Sequence, residues 1–522
     1  MEKKKTSKFF KNTFILVLAG IVVKIIGAVY RIPITNIIMD TGIGYYQAAY
    51  PVYQILLTIS TAGLPVAVAK LVSENYALGR IKAAHKVFVE STKLMFALGI
   101  ISALFVYVFS HQIVGFLQNE NSWYSLVALI PALVFSPLMS SFRGFYQGKD
   151  NMVPTAISQV IEQLFKLIFG LILTKYALNM YGVAVAAGAA QSGGSIGAFF
   201  GFLFLLAVFL LKYKDYKNEK QLDQSGFMYS DSEVIKNILS IAVPITIGAS
   251  INPIMDFIDT KLVFMRLTDI GYAISEANDM FGWLKGMATT LINMPQAISI
   301  ALSMSIVPLV SACMVKKDFD KMHQTIYSGL KFTCLFAFPC ALGFIALSKP
   351  IISLIYYNNS PEAIEGTAQL LSILSVSLIC LCMIQILTAI LQAVGRPEKP
   401  VKNLFIGSAV KVVLTYVLTG ISFFNVKGAA ISTNIAFILA MVLNYIDLEK
   451  ILDKKYNLLS YALKILAVSI IMALAVKVSY DILSIKFSLL ISISLSILLG
   501  IIVYGGLVLL LKLVKIEDFI SK

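Results

Sequence analysis

The sequence predicts an all-α polytopic membrane protein. Fourteen transmembrane helices are expected, as two six-helix lobes followed by two C-terminal helices, and three observations carry that expectation. Apolar runs of ~20 residues, the length that crosses a bilayer, recur from one end of the 522-residue chain to the other. Hydrophobic residues make up 58% of the chain and charged residues only 14%, where a soluble domain carries about 25% charged residues. Lys and Arg gather in alternate loops, as membrane topology demands, so the formal charge of +15 forms no single basic face and argues against a nucleic-acid partner.

In order, the expected spans are 13–33, 45–69, 88–110, 122–142, 154–178, 182–211 and 238–262, then 281–307, 328–347, 368–393, 402–422, 427–447, 461–480 and 487–511. The basic N-terminus and the apolar run after it resemble a signal peptide. Lys24 interrupts that run and no small-x-small cleavage pattern follows, so it reads as an uncleaved first span. Loops after even-numbered spans hold Arg80, Lys82 and Lys86, then Arg143 and Lys149, then Lys212, Lys214, Lys217 and Lys220. Lys316 and Lys317, Arg396 and Lys399, and Lys454 and Lys455 continue the pattern. The positive-inside rule then places both termini in the cytoplasm.

The chain also repeats. His85 and His323 are 238 residues apart, as are Lys93 and Lys331, while Pro154 and Pro400, like Gly182 and Gly428, are 246 apart. Ile43-Gly44-Tyr45 and Ile270-Gly271-Tyr272 match at an offset of 227. Offsets that grow along the chain are what a duplication of six spans leaves after small insertions. Six spans return the chain to the same side, so the two copies are parallel repeats. The expected domains are residues 1–222, a first lobe with its polar linker; residues 223–447, a second lobe; and residues 448–522, the two additional spans.

Polar residues inside the spans are the candidates for function. Lys24 lies in the middle of the first span, where a cation costs roughly 2.5–3.5 kcal/mol on insertion scales and normally faces a cavity or the protein interior. Arg31 follows two turns later, and the alternative for both is a snorkelling cation near a helix end. The next run adds Gln47, Tyr50, Pro51, Gln54, Thr58 and Thr61, polar material suited to the wall of a pathway. Asn252, Asp256 and Asp259 are spaced four and three apart on one face of span seven, where oxygen ligands could hold a cation; the alternative is a local pair of Asp259 with Lys261. Lys285 sits beside Trp283 in span eight, and Lys411 in span eleven has no acid on its own helix and is paired here with Asp256. Glu162 and Lys166 read as an i,i+4 pair, and Gly193, Gly197 and Gly201 as a helix-packing stripe. Prolines 51, 65, 131, 137, 244, 253, 295 and 308 are expected to interrupt spans. Five cysteines, all in the second half, read as small core residues, with no metal site or phosphate-loop motif, and no catalytic constellation stands out.

Three motifs carry a resemblance: Lys24-Ile-Ile-Gly-Ala-Val-Tyr-Arg31-Ile-Pro, Gly42-Ile-Gly-Tyr-Tyr-Gln-Ala-Ala-Tyr-Pro51 and Ala62-Gly-Leu-Pro-Val-Ala-Val-Ala-Lys70. They resemble the stage V sporulation protein B group and the YtgP-type, MurJ-like lipid II flippases, within the multidrug/oligosaccharidyl-lipid/polysaccharide exporter superfamily. The resemblance spans the whole chain. It implies two lobes arranged as a V around a cationic cavity, and transfer of an undecaprenyl-pyrophosphate-linked sugar from the inner to the outer leaflet by alternating access. It also implies cavity roles for Lys24, Arg31 and Lys285, a groove for a prenyl tail in the last two spans, and a cation held through Asp256 or Asp259. Lys411 is a departure whose ammonium could replace that ion. On this reading the protein is a transporter and not an enzyme. It works as a monomer without a cofactor, coupling to Na⁺ or H⁺ stays open, and its partners are the lipid-linked oligosaccharide and membrane lipids. The alternatives are a cation-coupled multidrug exporter, which would favour acidic cavity residues, and a membrane glycosyltransferase or polymerase, which would want carboxylates in long loops.

The topology has a direct test. A reporter fused after Lys220 is expected to read cytoplasmic and one inserted near Asn359 external; reversal of either discards the lobe assignment.

Overall fold

The computed structural model describes residues 2–221 and 223–514, with the side chains of residues 2–14 and 17 outside the description. The basic N-terminal flank and the C-terminal end whose cytoplasmic location is expected therefore lie, in side chain or in whole, outside the described residues. No strand occurs among the described residues. The helices run α1 (Glu2–Thr61), α2 (Leu64–Ala77), α3 (Ile81–Phe116), α4 (Trp123–Val127), α5 (Ile130–Gly148), α6 (Val153–Tyr181), α7 (Val183–Leu211), α8 (Tyr213–Gln221) and α9 (Asp231–Asp269). They continue with α10 (Ile274–Phe281), a π-helical turn over Gly282–Ala288, α11 (Thr289–Lys316), α12 (Phe319–Ala346), α13 (Ser348–Ile355), α14 (Pro361–Ala393), α15 (Glu398–Thr419), α16 (Val426–Leu452), α17 (Leu458–Leu483) and α18 (Leu489–Leu510).

Among the described residues, thirteen helical stretches are long and apolar enough to cross a membrane, against fourteen expected. The difference lies at the start, where Leu18–Ala77 forms one stretch of 60 residues that takes in most of the first expected span and all of the second. Met39 breaks α1 between them, with φ 55° and ψ −168°, a conformation that costs a non-glycine residue strain. Prolines divide into two groups. Pro65 and Pro131 sit in the first turns of α2 and α5, where the missing N–H has no partner to lose, so they begin helices where interruptions were expected. Pro51, Pro137, Pro244, Pro253, Pro295 and Pro308 lie inside helices, where each removes one ladder bond.

The chain divides into two compact units, Met1–Phe264 and Met265–Lys522. In the first, α6 and α7 form the most extensive contact, α1 packs on both, and α5 on α2, α3 and α7. Its cores are an aromatic cluster of Phe88, Phe142, Phe145 and Tyr146, and a second cluster around Val52, Val106, Leu126 and Leu133. In the second, α14 is central, packing against α11, α12 and α16, while α17 pairs with α18 and lies on α12. Met383, Ile386 and Leu387 of α14 meet Ile326 and Leu330 of α12 in its core.

The polar segment after α7 is bonded onto the first unit. The Glu219 carboxylate of α8 meets Lys149 Nζ at 2.7 Å and accepts from the Tyr76 hydroxyl at 3.0 Å. Burial alone would raise its pKa, but the Lys149 ammonium and the Tyr76 hydroxyl hold it below the usual range. Asp223 accepts from the Lys82 amide at 2.7 Å in the first turn of α3 and from both donors of Ser225. The Ser225 hydroxyl and the two amides bring its pKa down to about 2. Lys86 pairs with Asp231 at 2.6 Å, at the start of α9.

The α6–α7 contact is close because α7 is glycine-rich at the crossing. A Cβ on Gly193 would fall 2.7 Å from Gly170 Cα and 2.8 Å from the Lys166 carbonyl oxygen, whereas one on Gly194 meets nothing nearer than Leu129 at 4.0 Å. Gly193→Leu is expected to force α7 off α6, costing about 1–3 kcal/mol by overpacking, while Gly194→Ala leaves the melting temperature in detergent unchanged. Equal melting temperatures for the two variants would remove the packing role of that face.

Candidate functional site

The polar residues of the first unit converge where α1 meets α5, α6 and α7. Tyr30 donates its hydroxyl to the Ala190 carbonyl at 2.6 Å, fixing α1 against α7. Arg31, next in sequence, lies over the Tyr46 ring with Cζ 4.8 Å from the centroid, an arrangement worth roughly 0.5–2 kcal/mol depending on desolvation. Its Nε is buried and has no hydrogen-bond partner among the described residues. The Tyr46 carbonyl accepts from Gln191 Nε2 at 2.9 Å, and Tyr46 stacks on Tyr50, which in turn leans on Tyr53 with centroids 5.9 Å apart. Positions 46, 50 and 53 follow helical spacing, so one stripe of α1 presents three phenol rings.

On α6, Lys166 Nζ sits 5.4 Å from the Tyr30 ring centroid, and the fields of Tyr46, Tyr50, Arg31 and Glu162 all reach it. The expected Glu162–Lys166 pair is not the ion pair made among the described residues. Glu162 Oε2 instead bonds Arg143 Nη2 of α5 at 2.9 Å, and Arg143 Nε donates to Ser158 Oγ at 3.0 Å. Arg143 was expected in a loop. It lies within α5 with only 15% of its side chain exposed, because α5 extends to Gly148 and Ser158 and Glu162 offer two acceptors one turn apart on α6. Glu162 thus pairs with Arg143 and acts on Lys166, which Arg31 also reaches, so three linked cations stand against one carboxylate. That surplus of positive charge, with an unpartnered guanidinium nitrogen among phenol rings, can take up an anion of high charge, for which Arg supplies a bidentate fork.

The other expected site residues lie around and beyond this cluster. Lys24 is exposed on α1, among exposed Ile21, Ile25 and Val29. It precedes Arg31 by two turns, ~10 Å along one helical face. Gln54 is half-buried one turn beyond Tyr50. On α9, Asn252 and Asp256 are exposed but Asp259 is buried, so the expected common face is divided between surface and interior. Lys261 Nζ lies 5.0 Å from the Phe116 ring centroid. In the second unit, Lys285 is half-buried within the π-helical turn, and Lys411 is half-buried on α15. A π turn widens the helix by one residue and is a frequent mark of functional positions. The Tyr356 hydroxyl bonds the Met287 carbonyl at 3.3 Å and Thr289 Oγ1 reaches back to the Leu284 carbonyl at 2.7 Å, satisfying carbonyls within that turn. Sequence reasoning did not find Arg143 or the phenol stripe as parts of the cluster, although the spacing of Tyr46, Tyr50 and Tyr53 was a readable signal.

Breaking the α5–α6 bridge tests the cluster's electrostatics. Glu162→Ala leaves Arg143 without its carboxylate beside two further cations and is expected to lower folded yield, at a cost of about 3–5 kcal/mol. The double variant Arg143→Met, Glu162→Met is expected to regain most of that yield. Equal yields of the wild-type chain and Glu162→Ala in a detergent-solubilised fluorescence assay would refute the bridge as a support of the fold.

Comparison with known proteins places this architecture. Stage V sporulation protein B of Bacillus subtilis (strain 168) is 28% identical over 456 residues, covering 87% of this chain and 86% of that protein. Lipid II flippase MurJ of the same organism is 28% identical over 495 residues, covering 91% and 88%. A solved structure of lipid II flippase MurJ in an inward closed conformation superposes with a TM-score of 0.71 at 16% identity, covering 95% of this chain and 98% of that one, which shows a shared fold. A MatE model matches residues 285–417. The polysaccharide biosynthesis protein model matches residues 9–314, and the chain belongs to that family.

Proposed function

We propose that this protein is a flippase that moves an undecaprenyl-pyrophosphate-linked cell-wall precursor, lipid II or a related glycolipid, from the inner to the outer leaflet. The observation that supports this most is the cluster of Arg31, Arg143 and Lys166 against the single carboxylate of Glu162. A pyrophosphate that leaves water unpaired is strongly penalised, so its route needs fixed cations. Lys24 and Arg31, two turns apart on one face of α1, supply such cations in sequence: an exposed ammonium first, then a guanidinium set among phenol rings. Lys24 meets the diphosphate as a mobile point charge, and Arg31 receives it in a fixed geometry. The relative named as lipid II flippase MurJ supports the same class of substrate. The charge bias of the loops supports cytoplasmic termini, so that the substrate enters from the cytoplasmic side.

A multidrug exporter is the second reading, favoured by the MatE match over residues 285–417. Cationic drugs would meet net positive charge in the first unit, which disfavours it.

Reconstitution in proteoliposomes with a leaflet-specific lipid II assay tests the proposal. Lys24→Ala is expected to abolish flipping with no loss of folded yield, because the side chain is exposed and removing a charge makes insertion easier. Lys24→Arg is expected to retain substantial activity and Lys24→Glu to fall below Ala, since it repels the phosphates. Normal flipping by well-folded Lys24→Ala would remove the proposed role of this residue. Transport of a cationic dye but not of lipid II by the wild-type chain would replace the flippase reading with that of an exporter.

A further inference from the structure

The duplication gives two copies of one helix in which the same lysine has a carboxylate three residues before it in the first copy and a hydroxyl there in the second. Helices α3 and α12 begin 238 residues apart, at Ile81 and Phe319, the offset that also relates His85 to His323 and Lys93 to Lys331. In α3, Lys93 Nζ is bonded to Glu90 Oε1 at 2.8 Å, three residues back on the same face. The position 238 residues after Glu90 is Ser328. The second copy thus keeps the lysine and replaces its carboxylate with a hydroxyl.

Among the described residues Lys331 has no acidic partner. Its ammonium lies 4.5 Å from the Tyr327 ring centroid and 5.3 Å from that of Tyr461 on α17. Beside it opens a shallow groove between α12, α17 and the chain just past α18, with Ser328, Lys331 and Tyr461 on its polar side and Phe332, Leu335 and Leu513 on its apolar side. Lys331 is the thirteenth residue of α12, hence ~18 Å along the helix from Phe319. That depth suits a lysine whose stem runs along apolar surface toward the headgroup region.

We propose that this groove binds a phosphate-bearing lipid of net negative charge in the leaflet nearer the Phe319 end of α12. Lys331 takes the phosphate that stands where the first copy has its own carboxylate, with the Ser328 and Tyr461 hydroxyls as further donors. Phe332, Leu335 and Leu513 take the start of the acyl or prenyl chain. This site does not depend on which molecule is transported.

The test compares phosphatidylglycerol, phosphatidylcholine and inorganic phosphate on the delipidated full chain in a neutral detergent, with retained lipid counted by native mass spectrometry. The wild-type chain is expected to retain phosphatidylglycerol at a roughly tenfold lower concentration than phosphatidylcholine, the preference that one charge-assisted contact confers. Lys331→Gln is expected to lose that preference and Lys331→Arg to keep it. Ser328→Glu retains the lysine but supplies it with the acid of the first copy, so it is expected to lose the preference with unchanged folded yield. Preference unchanged in both Lys331→Gln and Ser328→Glu would overturn the site. Displacement of phosphatidylglycerol by equimolar inorganic phosphate would overturn a lipid as its occupant.

Discussion

The ion pair of Arg143 with Glu162 is the interaction on which the first unit's chemistry depends. Three cations close together in an apolar bundle repel one another and each has lost water. A single carboxylate, placed on α6 between Arg143 on one side and Lys166 one turn away, makes that arrangement tenable. It also leaves the remainder positive. Were the cluster neutral, it would be a structural network; were it without an acid, α5, α6 and α1 would be driven apart. The glycines of α7 enter the same balance, because Gly193 and Gly197 let α7 approach the backbone of α6 at Lys166 and Glu162. Helix packing with small residues and the placement of charge are thus one constraint seen from two sides.

Much of the fold was legible in the sequence, for a reason specific to membranes. Lipid offers no hydrogen bonds, so each apolar run must become a helix, and each expected span is helical over most of its length, although 45–69, 122–142 and 281–307 each run across more than one helix. What escaped is set by context beyond a run's own composition. Pro65 and Pro131 carry the same local signal as Pro51 and Pro137, yet the first two begin helices and the latter two lie inside them. The π turn around Lys285 has no compositional mark at all; Thr289 and Tyr356 accompany it through their bonds to carbonyls of that turn. Residues after α7 read as a polar linker, but α8, Asp223 and Asp231 bond it to the ends of α2, α3 and α5.

The candidate site was legible one helix at a time. Arg31 stood out because a charge inside an apolar run is costly wherever it points, whereas Lys166 read only as half of a local pair with Glu162. Their partners did not, since pairing across helices has no period in the sequence. The i,i+4 spacing of Glu162 and Lys166 suggested a local pair, but Arg143 reaches Glu162 from α5 with a second bond to Ser158, and a guanidinium with two fixed acceptors outcompetes a flexible ammonium. Arg143 itself was read as a topological charge, which is what most cations at the end of a span are.

A duplicated chain makes such substitutions interpretable, because each copy serves as the other's reference. Where both copies retain a residue, shared geometry is a sufficient reason, as for the two histidines that each lie against a tyrosine after the sixth span of their copy: His85 against Tyr216 and His323 against Tyr456. Where only one copy retains a partner, the fold cannot be the reason, since the same helix stands without it. Lys93 with Glu90 and Lys331 with Ser328 are such a case. A lysine kept beside aromatic rings after its carboxylate is gone still bears the desolvation cost of its charge, and that cost is offset when an anion from the surroundings takes the vacant place. The difference between the copies therefore points outward from α12, to the lipid in which this helix lies.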